Sequence, residues 1–118
     1  MSVWLVLWVI VAHWFADFVC QTHSMATLKS KEWSWLMFHV CVYTLVMGIL
    51  VGSVLSPASA WQFVGVTFAA HFCTDVVTSR ITSRLYAKGD YHNFFVVIGF
   101  DQVFHYAQLF LTLAWLMS

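Results

Sequence analysis

The sequence predicts an all-α, polytopic membrane protein, one domain over residues 1–118 with four transmembrane helices arranged as two hairpins. Three observations predict it. The chain is 62% hydrophobic and only 8% charged, with a mean hydropathy of +0.82, far from the composition of soluble domains. Apolar runs fall at about 3–20, 34–55, 60–80 and 95–117, each near the roughly 20 residues that cross a bilayer. All five cationic residues, Lys29, Lys31, Arg80, Arg84 and Lys88, lie in the two polar segments that this topology puts on one side of the membrane, and the positive-inside rule makes that side cytoplasmic.

Taken in order, the first run follows Met1-Ser2-Val3-Trp4 without the positive region of a secretory signal, and it outlasts a signal core, so it reads as a retained helix. A polar segment, Gln21 to Glu32, separates it from the second run. That run carries Gly48 and Gly52, a GxxxG spacing that lets helices approach closely and offers a face for a homo-oligomer. Ser56-Pro57-Ala58-Ser59 reads as a tight turn into the third run, and a second polar segment, Arg80 to Asn93, precedes the fourth. Both termini then lie on the non-cytoplasmic side. Trp4, Trp8, Trp61 and Trp115 form an outer aromatic belt, with Trp33 and Trp35 at the inner interface.

Two function classes drop out early. Five cations against five anions leave no basic face to track a nucleic-acid backbone. Cys20, Cys41 and Cys73 lie apart in apolar stretches without CxxC spacing, so neither a disulfide framework nor a thiolate zinc site is indicated.

The chemistry lies in the pairs His13/Asp17, His71/Asp75 and Asp101/His105, each four apart and so on one helix face, with His39 from the second run. Spans one and three share the pattern AHxxxDxV at 12–19 and 70–77, an echo of a parallel hairpin duplication that spans two and four do not extend. Counted at 1.5 Å per residue from the cytoplasmic interface, all seven side chains fall roughly 6 to 16 Å deep. Charged groups at that depth cost about 2.5–3.5 kcal/mol each and require partners. A divalent cation offsets both their repulsion and their desolvation, and mixed imidazole and carboxylate donors suit zinc best, or manganese or iron. Seven candidate ligands allow either one ion with supporting Asp residues or two bridged ions. The competing reading is that these groups only bond across helices as packing glue.

Around this layer the cytoplasmic rim supplies Gln21, His23, Arg80, Arg84, Asp90 and His92, with Gln102 and Gln108 on the last span. Arg80 and Arg84 share a helix face, where two guanidinium groups either clamp a phosphate or anchor the topology in anionic lipid. His92 sits in Gly89-Asp90-Tyr91-His92-Asn93, placed as an acid, a base or an extra ligand, or simply solvated.

The segments HWFADFVCQ (13–21), HFCTDVVTSR (71–80), GDYHNFF (89–95) and GFDQVFHYAQL (99–109) together resemble a family of small phage and bacterial membrane proteins of unknown function, over essentially the whole chain. The chain is more distantly similar to predicted membrane-bound metal-dependent hydrolases. The resemblance implies a four-helix protein of a bacterial inner membrane, with polar motif residues at His13, Asp17, Gln21, His39, His71, Asp75, Arg80, Asp90, His92, Asp101, Gln102 and His105.

The expected function is therefore a membrane-embedded, metal-dependent hydrolase acting on a lipid or lipid-linked phosphate ester at the cytoplasmic leaflet. His13, Asp17, His39, His71, Asp75, Asp101 and His105 hold the metal, Arg80 and Arg84 hold the anionic group, and His92 or Asp90 moves protons. Two other classes compete: a proton or ion relay, and an accessory membrane protein that binds a host partner around a structural metal.

Overall fold

The computed structural model describes residues 1–118, all helical and without strands. α1 (Val3–Trp14) starts at Ser2, whose Oγ accepts the Leu5 N–H at 3.1 Å. It runs on into a π-helical turn, Phe15–Val19, closed by the Cys20 N–H on the Phe15 carbonyl at 2.9 Å. Such turns widen the helix by one residue and are frequent at functional sites, and this one carries Asp17. α2 (His23–Leu28) lies within the polar segment Gln21 to Glu32. Thr22 caps it, and it buries Met25.

α3 (Trp33–Leu50) passes into a short 3-10 turn, Gly52–Val54. α4 (Pro57–Ala87) begins with proline in the first turn behind the Ser56 cap, as a fixed φ and a missing N–H favour. It continues well past residue 80, so Arg80 and Arg84 lie on one helix, as expected, and the span of 60–80 is extended at both ends. Gly89, at φ +75°, ends it: the Gly89 and Asp90 N–H groups bond to the Tyr86 and Leu85 carbonyls at 3.0 Å, the paired bonds of a Schellman cap. α5 (Tyr91–Leu116) follows at once, behind the Asp90 cap.

By length and hydropathy, two helical stretches qualify to cross a membrane, Trp33–Val54 and Tyr91–Leu116, not the four expected; Val3–Val19 is apolar but shorter. α4 has the length. Its interior-facing His71, Asp75 and Ser79, with the neighbouring Thr74, Thr78 and Arg80, dilute its hydropathy.

α4 packs chiefly on α5 and α3. One end of the bundle is an apolar core built from Val9, Ala12, Tyr43, Met47, Phe63 and Leu109 among others. Gly48 and Gly52 serve packing inside the chain. A Cβ on Gly48 would lie 3.0 Å from the Val64 Cγ2, and one on Gly52 3.5 Å from the Ala60 Cβ, so the GxxxG edge brings α3 close to α4.

Candidate metal centre

The layer next to the apolar core is polar because α1, α3, α4 and α5 each continue their buried stripe with a His or Asp. On α4 the buried positions are Phe63, Thr67, His71, Asp75 and Ser79, a strict four-residue repeat. On α3 the stripe runs Leu36, His39, Val40, Tyr43 and Met47, and on α5 it includes His105, Leu109 and Leu113. His13 follows Ala12 on α1, and the π-helical turn brings Asp17 into the same layer.

Four ligand atoms converge there. His39 Nε2 lies 3.1 Å from Asp17 Oδ1, 3.2 Å from Asp75 Oδ2 and 3.1 Å from His71 Nε2. His71 Nε2 lies 3.7 Å from Asp17 Oδ1 and 3.5 Å from Asp75 Oδ2. A tetrahedron with metal–ligand bonds of about 2.0–2.1 Å has edges of about 3.3 Å, so the spacing fits a single divalent ion. One N–H on each ring cannot satisfy two carboxylates and a second imidazole nitrogen at once, and all four residues are buried. This His/Asp cluster is able to hold a metal ion.

Beside it, His105 Nε2 lies 3.3 Å from Asp75 Oδ1 and 3.7 Å from Asp101 Oδ2. Asp101 is held by the Thr78 hydroxyl, which donates to Oδ1 at 2.5 Å, and by the Gln102 amide, which donates to Oδ2 at 3.0 Å. Gln102 in turn accepts from His13 Nε2 at 2.6 Å, while His13 Nδ1 accepts from the Tyr43 hydroxyl at 2.7 Å. Both nitrogens of His13 are thus committed within the protein. It sits in the same layer, beside the cluster of Asp17, His39, His71 and Asp75.

The rim differs more. Arg80 lies over the Trp33 ring at 4.5 Å and donates to the Val76 carbonyl at 2.9 Å. Arg84 and His92 are exposed. Asp90 bonds the Asn93 backbone and side chain at 3.2 and 2.8 Å, and these bonds hold its pKa below the usual carboxylate value. None of these four lines the cavity of about 210 Å³ that opens from Asp17, Asp75 and Asp101. The roles expected for Arg80, Arg84, Asp90 and His92 therefore have no geometric support: two are committed to local bonds and two point to the surface.

The cation at the centre is instead Lys29, delivered by the end of α2. Its Nζ donates to Asp75 Oδ2 and to Gln21 Oε1, both at 3.0 Å. Burial opposes its charge, but the facing Asp75 and Asp17 carboxylates outweigh burial and raise its pKa. In the sequence Lys29 counts only as one of the five cations that set the orientation. Its partner Gln21 closes the segment HWFADFVCQ, four residues after Asp17. Tyr43, four residues after His39 on the same face, joins the layer without any motif to mark it in the sequence.

No curated protein and no solved structure is significantly similar to the chain. A family model described as "Protein of unknown function (DUF3307)" matches residues 5–118, and the chain belongs to that family.

Proposed function

We propose that the protein is a membrane-embedded metalloenzyme that hydrolyses a lipid or lipid-linked phosphate ester at the cytoplasmic leaflet. The observation that carries this reading is the tetrahedral spacing of Asp17, His39, His71 and Asp75 at the foot of a polar cavity. A divalent ion there, zinc on this donor set or else manganese or iron, supplies Lewis-acid activation of water and of a phosphoryl oxygen.

The chain's own groups supply the rest. The cavity adjoins a second one of about 380 Å³, and the two share Ala26, Lys29, Ser79, Thr82 and Phe94. Ser79 Oγ is buried and has no hydrogen-bond partner, and Thr82, Ser83 and Lys31 line the outer part. Hydroxyl and ammonium donors around an otherwise open path suit the oxygens of a phosphate group. Hydrolysis then adds water across the P–O ester bond and releases phosphate and the alcohol.

The membrane setting rests on an inside-out distribution of polarity. His13, Asp17, His71, Asp75 and His105 are buried, while Trp4, Trp61, Phe95 and Leu111 are exposed by 66–80%. The most apolar stretch of α5 is only 11% buried, unlike the core helix of a soluble domain. On this reading α1, with its π-helical turn, and α4 also span. The cavities open at the end that carries Lys29, Lys31 and Arg84, which positive-inside orientation makes cytoplasmic.

The test is phosphate release from short-chain phosphatidate and lipid pyrophosphate by full-length protein in detergent with zinc or manganese, beside His71→Ala. Release by the wild type above that variant is expected. Wild-type protein that binds metal yet releases no phosphate above His71→Ala refutes the hydrolase reading.

A second reading, proton relay, is favoured by the unbroken chain Tyr43–His13–Gln102–Asp101. Proton flux in liposomes that depends on Asp101 would place it first.

A further inference from the structure

Resting on the metal reading above, we propose that the centre holds two divalent ions bridged by Asp17 and Asp75, with His39 and His71 completing one position and Asp101 and His105 the other.

The two carboxylates divide their oxygens between two sets of ligands. Asp17 turns Oδ1 to His39 and His71, at 3.1 and 3.7 Å, and Oδ2 to His105, at 3.9 Å, and to His13, at 3.7 Å, whose Nε2 is already bonded to Gln102. Asp75 turns Oδ2 to the same pair, at 3.2 and 3.5 Å, and Oδ1 to His105, at 3.3 Å. A carboxylate serving one ion presents a single side to it. Two carboxylates that each face one histidine pair with one oxygen and a third histidine with the other are arranged as bridges.

The second position has its own unexplained donor. His105 is 3% exposed, and its Nε2 is buried without a hydrogen-bond partner, although three carboxylate oxygens surround it at 3.3 to 3.9 Å. A buried polar atom in that condition costs about 1–3 kcal/mol, and a cation among those oxygens removes the cost. Thr78 and Gln102 fix Asp101 from behind, the support that a ligating carboxylate needs.

Chemical consequences follow. Each position has four protein donors, the two bridging carboxylates with His39 and His71 at the first and with Asp101 and His105 at the second. The second is completed by Asp101, the one carboxylate of the three that borders the cavity while remaining partly accessible at 13%. A fifth ligand, a water or a phosphoryl oxygen, therefore reaches the second ion from the cavity that Lys29 and Ser79 line. Two divalent ions against three carboxylates leave the centre positive before Lys29 is counted. The ligand it draws is an oxyanion, and a phosphate ester clamped between two ions is the arrangement that stabilises in-line displacement at phosphorus.

The experiment loads full-length protein in detergent with manganese(II) and reads metal content and electron paramagnetic resonance. About two ions per chain are expected, with the spectrum of an exchange-coupled pair, since bridged ions sit about 3.5–4 Å apart. In the double variant Asp101→Asn/His105→Ala the content falls to about one, with an isolated-ion spectrum. Wild-type protein that binds about one ion, unchanged in the variant, overturns the second position and leaves the first standing. Two ions without coupling overturn the bridging. Wild-type protein that binds none overturns both the pair and the metal reading, and because that result is read on unmutated protein it does not depend on how the variant folds.

Discussion

Replacing Lys29 by Met should tighten metal binding, although it weakens the protein without metal. The Lys29 Nζ lies 3.0 Å from Asp75 Oδ2, an attraction of about 5–6 kcal/mol at an effective dielectric near 20. Desolvation consumes much of it, and removing one member of a fully buried pair costs about 3–5 kcal/mol because the other charge is left alone. The Lys29 side chain is 17% exposed against 3% for Asp75, so water recovers part of that, and a loss of about 2–3 kcal/mol is appropriate for metal-free protein. A divalent ion on Asp75 replaces the missing charge, so the metal-loaded variant loses little.

By linkage the difference appears as affinity, about 30- to 160-fold tighter for zinc in Lys29→Met. Competition against a chromophoric chelator measures it, and thermal melts with and without zinc supply the other two legs of the cycle. Equal or weaker zinc binding by Lys29→Met, with intact helicity, refutes the idea that the ammonium and the metal compete for Asp75. If they do compete, the released ammonium is free to meet an anionic substrate in the adjoining cavity.

Two further outcomes test the scaffold. Asp90 has a lowered pKa from its Asn93 bonds, so its contribution is complete above the ordinary carboxylate value of about 3.9 and is lost as pH falls through the lower folded value. Amide protection at Asn93 should therefore drop below about pH 4 in wild type and stay level in Asp90→Asn, where a neutral side chain still caps the helix; unchanged wild-type protection would sink this. Gly48→Leu pushes a side chain into Val64 on α4 and should cost about 1–3 kcal/mol of stability in denaturant titrations, whereas wild-type stability would show that α3 and α4 do not need the glycine.

How much of this was legible in one dimension depends on range. Helix ends declared by Ser2, Ser56-Pro57 and Gly89-Asp90 are local chemistry, so turns and element order can be read directly. The common layer of His39, His71, Asp75, Asp101 and His105 also follows from counting, because rise per residue converts sequence position into height along a helix. Counting assumes a regular helix, however. The π-helical turn at Phe15–Val19 breaks that assumption at Asp17, and α2 inside a polar segment shows no apolar period long enough to announce itself.

What the amino-acid order determined by itself is the helical, strongly apolar character of the chain and the set of His and Asp residues that share a height. Only the tertiary structure decided which way each faces. It placed four ligand atoms at tetrahedral spacing, committed His13 to Tyr43 and Gln102, and spent Arg80 on Trp33 while bringing Lys29 to Asp75. The physical reason is that height is a one-dimensional quantity accumulated along the backbone, whereas coordination depends on azimuth and on contacts between residues as distant as His13 and Gln102, which exist only once the helices have packed.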